Sequence, residues 1–216
     1  MQIPHLVTIV IIVANVIISM KGFNDISFFD KYKFNIAGIR RGEQVRMISA
    51  AFLHADFSHL LFNMLTLYFF ADVVIHQVGV VFFVIIYMAS LLLGNLLSFY
   101  FHKEEPHYSA IGASGAVMGI LYSAILFFPN MSLYMFFIPI PIPAWLFGMA
   151  YLLYSIYGMK NRLGNIGHDA HIGGAIGGYV LTLIFAPYLF QTSLWIVVLL
   201  AVPLIVLMAM HRLGKL

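Results

Sequence analysis

Long apolar runs dominate this chain of 216 residues, and each is close to the length that crosses a lipid bilayer. A membrane helix needs about 20 mostly apolar residues, because the hydrocarbon layer is roughly 30 Å thick. Hydrophobic residues make up 62% of the chain and charged residues only 9%, against roughly 25% charged residues in soluble domains. The sequence therefore predicts an all-α, polytopic membrane helix bundle that contacts the lipid bilayer.

Seven apolar runs are separated by polar connections, and we predict one helix for each run. The longest connection is the first, from Lys21 to Asp56, and a tight turn is expected near His76. The first run has no lysine or arginine before it and no small-residue cleavage site after it, so we expect a retained helix. The predicted helices are residues 3–20, 57–75, 78–101, 114–128, 143–157, 170–190 and 194–210.

Cysteine content and charge exclude several classes of function. The chain has no cysteine, which rules out disulfides, thiolate catalysis and cysteine-ligated metals. The net charge of +3 does not indicate a nucleic-acid partner, because the basic residues flank apolar runs rather than forming a basic domain. We interpret them as membrane-flanking anchors.

Polar residues, which are energetically unfavourable in lipid, lie at the starts of the second, fourth and sixth predicted helices. Consecutive membrane helices alternate in direction, so these three starts share one face of the membrane. Polar side chains at membrane depth usually face a bundle interior or a wet cavity. Their convergence predicts a functional site. The residues are His59 and Asn63, then Ser114, then His168 and His171.

The fourth predicted helix is short, with residues 114–128 covering only about 22 Å. Its start should therefore lie below the membrane surface, where non-helical backbone is tolerated only against protein or a water-filled cavity. Ser114 is then expected at the floor of a water-accessible depression, where a hydrolase inside a membrane needs its nucleophile.

A serine hydroxyl needs a nearby base before it becomes a nucleophile. Ser114 lies in a G-A-S-G sequence that close helix packing would also explain, whereas His171 precedes glycines that allow close helix approach. We interpret the two residues as a dyad of nucleophile and base, and we leave His168 open as an interfacial hydrogen-bonding residue. Asp169 is interpreted as a helix cap, because residues two apart on a helix face away from each other.

His59 and Asn63 are four residues apart and share a helical face. Both can donate hydrogen bonds to the oxygen that becomes negative during peptide hydrolysis, as can the Ser114 backbone N–H. A zinc site is the less favoured alternative, because no Glu-flanked histidine pair of the zinc-protease type accompanies the candidate ligands. Those ligands would be His54, His59, His168 and His171.

Three motifs in this order resemble the signature of the rhomboid intramembrane serine proteases. They are H-x-x-x-x-H-x-x-x-N-M at 54–64, G-A-S-G at 112–115 and H-D-A-H-I-G-G at 168–174. The resemblance covers roughly residues 1–190 and implies a six-helix catalytic core, with a seventh C-terminal helix in residues 191–216. It implies a serine endopeptidase that cleaves transmembrane-helix substrates in a bacterial plasma membrane, without metal or organic cofactor.

The resemblance also implies roles for individual residues. Ser114 is the expected nucleophile, His171 the general base, and His59, Asn63 and the Ser114 amide the oxyanion donors. Two departures stand out: Val45-Arg46 replaces a frequent Trp-Arg pair, and Met118 stands where some members place a tyrosine against the catalytic histidine. The expected supporting residues are His54, His168, Gly112, Gly115 and Met118.

Two other functions stay open on the sequence. A catalytically inactive rhomboid-like protein would bind membrane helices without cutting them, although Ser114 and His171 are both present. A transporter or channel with a histidine relay is less favoured, because it leaves the serine motif unexplained.

Membrane orientation is predicted differently by two arguments. All eleven Lys and Arg residues fall on the face that carries the predicted site. The positive-inside rule would place that face in the cytoplasm, whereas the resemblance implies a site that opens to the outside. We follow the resemblance, because six of the eleven lie in the first connection, where they can contact lipid headgroups.

Overall fold

The computed structural model describes residues 4–135, 138–164 and 166–216. The all-α prediction is confirmed, and the predicted start of the first helix, Ile3, lies outside the described residues. The helices are α1 (Leu6–Asn24), α2 (Ile26–Tyr32), α3 (Ile36–Arg40), α4 (Arg46–Ser49), α5 (Phe57–His102), α6 (Ser114–Phe127), α7 (Ala144–Asn161), α8 (His168–Phe185), α9 (Leu189–Thr192) and α10 (Leu194–Arg212). The strands are β1 (Phe34–Asn35), β2 (Ser109–Ala110), β3 (Ser132–Met135) and β4 (Ile138–Pro143).

Helix α5 contains two of the predicted membrane helices. It has 46 residues, but Gly79 breaks it with φ 80° and ψ 166°, a conformation that glycine adopts without steric cost. The chain folds back there, so that Leu67 of the first arm and Ile86 of the second lie in one apolar cluster. The prediction of two helices is confirmed, and the turn lies at Gly79 rather than at His76.

Proline and strand pairing move other boundaries away from their predicted places. Helix α8 ends at Phe185 rather than at 190, because Ala186 precedes Pro187 and leaves the helical conformation. The Pro-rich stretch before α7, predicted as a plain connection, contains β4, which pairs antiparallel with β3. Proline is compatible with such a two-stranded ribbon, where each strand has a free edge.

Helix α6 lies at the centre of the bundle. Every residue from Gly115 to Leu126 is buried, and α5 and α8 make its most extensive contacts. With 14 residues it is only about 21 Å long, as the sequence predicts. Among the described residues, α1, α5 and α10 are long and apolar enough to cross a membrane, whereas α6 is a shorter apolar helix. The protein is an integral membrane protein.

The first connection folds into a small unit that contains an apolar cluster around Phe34 and Ile36 and the buried side chain of Arg46. This buried side chain donates to the backbone oxygens of Asp30 and Lys33 at 2.7 and 2.9 Å, and it pairs with Glu43 at 2.5 Å. Strand β1 of this unit pairs with β2, which precedes Ser114. The first connection therefore holds the loop that leads into α6.

Candidate active site

Glycines bring the backbones of α6 and α8 into contact below the site. A Cβ atom on Gly174 would overlap the backbone carbonyl of Gly115, and one on Gly178 would overlap the carbonyl of Gly119. On another face of α8, a Cβ on Gly173 would lie 2.8 Å from the Cα of Gly94 in α5. Because only hydrogen atoms fill these positions, the three helices pack more closely than larger residues allow.

This close packing places Ser114 beside His171. The Oγ of Ser114 lies 2.7 Å from the Nε2 of His171, which is hydrogen-bonding distance. Ser114 is the first residue of α6 and partly exposed, whereas His171 is in the first turn of α8 and buried. A hydroxyl that donates to Nε2 requires the ring proton on Nδ1. The arrangement can pass the hydroxyl proton to the imidazole.

The other ring nitrogen of His171 contacts a residue that the sequence did not identify. The hydroxyl of Tyr151 in α7 lies 2.8 Å from Nδ1. Tyr151 stands among apolar and aromatic residues of α7, outside the three motifs. A tyrosine among such neighbours is ordinary in a membrane helix, so no sequence signal marks Tyr151 as a site residue.

His59 lies against the loop before Ser114. A Cβ at Gly112 would lie 2.8 Å from His59 Nε2 and 3.7 Å from Ser114 Oγ, and the φ of 116° at Gly112 also favours glycine. The Ala55 N–H donates to His59 Nδ1 at 3.4 Å, which leaves the proton on Nε2. The donor N–H of His59 therefore faces the region of Ser114.

Asn63 follows His59 by one turn of α5 and is buried. Its amide nitrogen donates to the backbone oxygen of His59 at 3.0 Å. An amide nitrogen carries two hydrogens, so a second donor remains. Asn63 thus lies on the predicted face, with one N–H engaged by its own helix.

His54 and His168 contact neighbouring backbone rather than Ser114. His54 accepts from the Ala113 N–H at 3.5 Å through Nε2, and its Nδ1 lies 2.8 Å from the Ser19 hydroxyl. His168 lies 3.3 Å from the Leu163 oxygen through Nε2 and packs on Gly158 of α7. Both histidines connect elements that border the site.

Asp169 is not the cap that the sequence suggested. The N-cap of α8 is Gly167, which makes no side-chain cap. The Asp169 carboxylate instead accepts from the Tyr108 hydroxyl at 3.4 Å and lies 3.5 Å from His102 Nε2. Burial, with the nearby Asp169 carboxylate adding to it, raises the pKa of Tyr108. These contacts join the start of α8 to His102 at the end of α5 and to Tyr108 in the loop that follows.

Met118 and the zinc interpretation can be judged from the same geometry. Met118 is buried in the apolar cluster that α6, α7, α8 and α10 share, while the Tyr151 ring lies on the flank of His171 at 5.8 Å between centroids. Within the described ranges no three or more His, Asp or Glu side chains are grouped to hold a metal. The candidate zinc ligands lie in two edge-on pairs, His54 with His59 at 4.9 Å and His168 with His171 at 6.5 Å between ring centroids.

Comparison with known proteins gives several rhomboid relatives. RHOMBOID-like protein 12, mitochondrial, from Arabidopsis thaliana is 29% identical over 77% of this chain and 54% of its own length. Rhomboid protein 1, mitochondrial, from Saccharomyces cerevisiae is 32% identical over 62% of this chain and 40% of its own. Rhomboid protease GluP from Bacillus subtilis is 33% identical over 65% of this chain and 26% of its own. The chain spans about half the length of these relatives, or less.

The family profile supplies the broader match. Residues 41–188 match the Rhomboid domain, which is more than half of the chain and includes α5, α6, α7 and α8 with every candidate site residue. The chain therefore belongs to the rhomboid family.

Proposed function

We propose that this protein is an intramembrane serine endopeptidase that cleaves transmembrane-helix substrates with a dyad of Ser114 and His171. The observation that carries the proposal is the 2.7 Å contact between Ser114 Oγ and His171 Nε2. It lies at the partly exposed N-terminal end of α6, in which residues 115–126 are buried. A reactive hydroxyl in such a place is accessible to a peptide bond and to water.

The reaction follows from the positions of these two side chains. Ser114 Oγ bonds to the carbonyl carbon while His171 Nε2 takes the hydroxyl proton. The imidazolium then gives that proton to the departing amine as the C–N bond breaks, which leaves an ester on Ser114. Water attacks the ester with Nε2 as base, and the serine is restored.

Developing negative charge on the carbonyl oxygen needs donors. The Ser114 backbone N–H is free of an intrahelical partner because it opens α6, and the positive end of the helix dipole points the same way. The His59 Nε2–H faces the same region. Asn63 contributes its remaining amide hydrogen. These three groups form the proposed oxyanion site.

Supporting roles are proposed for residues around the dyad. His54 positions Ala113 and hence Ser114, Gly112 admits His59, and Gly115 admits α8. His168 connects the start of α8 to the segment that follows α7 through its contact with the Leu163 oxygen. Met118 fills the apolar space below the dyad. No metal or organic cofactor has a part in this mechanism.

The substrates follow from the chemistry of a membrane helix. Its carbonyls are already hydrogen-bonded within the helix, so a peptide bond must unwind before Ser114 reaches it. We therefore propose single-span substrates with small or helix-breaking residues near the cleavage site. The proposed catalytic part is residues 1–190, and residues 191–216 add α10.

The compartment and orientation stay predictions. The relatives include proteins named as mitochondrial and a protease from a bacterium. A bacterial plasma membrane, with the site facing outward, is the arrangement that we carry forward from the sequence.

Cleavage in liposomes tests the proposal. A single-span substrate with a Gly-Ala pair near the membrane surface is reconstituted with the unaltered chain, with Ser114→Ala, with His171→Ala and with Ser27→Ala, a surface serine in α2. We expect cleavage by the unaltered chain and Ser27→Ala, and none by the other two, because nucleophile and base act as one unit. Cleavage by Ser114→Ala would contradict the proposal, and substrate binding without cleavage by the unaltered chain would indicate an inactive rhomboid-like protein.

A further inference from the structure

Tyr151 contacts the imidazole of His171 on the side away from Ser114. Its hydroxyl lies 2.8 Å from Nδ1, while Ser114 Oγ lies 2.7 Å from Nε2. The two ring nitrogens of His171 thus each face one hydroxyl, one from α7 and one from α6. Within the described residues, Nδ1 of His171 has the Tyr151 hydroxyl as its hydrogen-bonding partner.

We propose that Tyr151 is the positioning residue of His171, whose phenol oxygen accepts the Nδ1–H and so keeps Nε2 free to receive the Ser114 proton. This inference rests on the proposed protease function. A neutral imidazole carries one ring proton, and the hydrogen bond at one nitrogen decides which nitrogen is the acceptor. Without a partner at Nδ1 the proton can sit on Nε2, and the base is lost.

Among the described residues, two other candidate partners do not offer this hydrogen bond to His171. The Asp169 carboxylate is engaged with Tyr108 and His102. Met118 is buried in the apolar cluster, and a thioether is a weak acceptor. A phenol oxygen accepts from Nδ1–H while His171 is neutral and also after it has taken the serine proton. The ring orientation is then held through both states.

The position of Tyr151 is set by the packing of α7. Its ring stacks on Phe147 with 5.7 Å between centroids and 18° between planes. Tyr122 of α6 donates to the backbone oxygen of Gly148, one turn before Tyr151. Leu200 of α10 packs near Gly148 on another side. These contacts fix the phenol relative to α6, the helix that carries Ser114.

The hydrogen bond between Tyr151 and His171 could also run in the opposite direction, and an experiment can distinguish the two directions. If the Tyr151 O–H donated to Nδ1, the ring proton would lie on Nε2 and point at Ser114. His171 would then be unable to accept the serine proton. The tautomer of His171 in the unaltered chain therefore tests the proposal without any variant.

The first measurement is ¹⁵N NMR of histidine-labelled protein in detergent micelles, with the His171 signals identified by their loss in His171→Gln. We expect the proton on Nδ1 in the unaltered chain and a mixture of tautomers in Tyr151→Phe. A proton on Nε2 in the unaltered chain would overturn the proposal, as would an unchanged tautomer in Tyr151→Phe.

The second measurement compares Tyr151→Phe with Tyr154→Phe, which removes the same atom three residues along α7. We expect kcat and the rate of labelling by a fluorophosphonate to fall about fivefold in Tyr151→Phe, because one hydrogen bond is worth about 1 kcal/mol and about 1.4 kcal/mol corresponds to a tenfold change in rate. KM should stay unchanged, and Tyr154→Phe should match the unaltered chain. Equal labelling by both variants would overturn the positioning role. Absence of labelling in the unaltered chain would instead contradict the proposed function, so the two failures are distinguishable.

Discussion

Two regions hold Ser114 in place, and they do so by different means. Below it, α6 and α8 meet through glycines, with Gly115 against Gly174 and Gly119 against Gly178. Above it, the first connection holds the loop before α6 through polar contacts. In one of them the Gly112 N–H donates to the backbone oxygen of Ala50 at 3.0 Å. The lower region depends on close backbone contact, whereas the upper region combines hydrogen bonds with a small apolar cluster.

The difference reflects the surroundings of each region. Lipid chains are as apolar as leucine, so burial alone does not hold membrane helices together and close backbone contact must. The first connection lies at the polar end of the bundle, where buried Arg46 and its backbone acceptors organise short helices. We therefore expect the lower region to be sensitive to side-chain size and the upper region to charge and pH.

The largest effect is expected from Gly174→Val. Its Cβ would overlap Gly115 and force α8 away from α6, and a displacement of about 1 Å can cost roughly 100-fold in rate. We expect cleavage to fall at least about 100-fold and the unfolding free energy to fall by about 1–3 kcal/mol. Gly167→Ala is the matched control, because its Cβ would lie at an ordinary 3.6 Å from Ala170. Full activity in Gly174→Val would contradict the claim that the lower region is sensitive to side-chain size.

An effect of similar size on the rate, without the loss of stability, is expected where the two regions meet, at His59 and Asn63. One oxyanion donor is worth about 10²–10³ in rate. His59→Ala and Asn63→Ala should each lower kcat by that range with little change in KM, as steady-state kinetics would show. Since Asn63 already donates to His59, we expect its loss to lie at the lower end. An unaltered kcat in either variant would remove that residue from the proposed oxyanion site.

In the upper region, Arg46→Ala should destabilise the protein more than Arg41→Ala. Arg46 is buried and satisfies two partly buried backbone oxygens, so its loss leaves these acceptors without their partner at about 1 kcal/mol or more. Arg41 pairs with the same Glu43, but its side chain is 65% exposed, and such pairs are worth roughly 0–1 kcal/mol. Thermal unfolding in detergent gives the comparison. Equal melting temperatures would show that Arg46 does not organise this region.

The smallest effect is a pH dependence at Glu43. Hydrogen bonds from Arg46 and then from Arg41 hold the pKa of this carboxyl below its usual 4.5. A lowered pKa in the folded state means that the stabilisation is present above pH 4.5 and is lost as the pH falls through the lowered value. The melting temperature of the unaltered chain should therefore drop on acidification more steeply than that of Glu43→Gln. Parallel curves would contradict this account.

The sequence predicted the lower region better than the upper one. Apolar runs and the spacing of glycines on α8 are local signals. The runs led to the seven helices, and the glycines led to the close approach of α8 to the helix that carries Ser114. Contacts of the upper region join residues far apart in sequence, such as Asn35 with Ser109, and no local pattern reveals them. The Asp169 cap was wrong for the same reason, because Tyr108 and His102 come from other elements.

Tyr151 shows the same limit inside the site. Both members of the proposed dyad were predicted from the sequence, because each lies in a short motif at the start of an apolar run. A tyrosine on an apolar helix is common and uninformative, and only the packing of α7 against α8 brings it to His171.

Labelling with a fluorophosphonate probe tests the proposed dyad most directly, because the probe reacts only with an activated serine and needs no knowledge of the substrate. The purified chain, Ser114→Ala, His171→Ala and Ser27→Ala are incubated with the probe, and mass spectrometry identifies the modified residue. We predict one adduct, on Ser114, in the unaltered chain and in Ser27→Ala, and none in the other two variants. An adduct on another serine, or equal labelling of Ser114 without His171, would contradict the dyad.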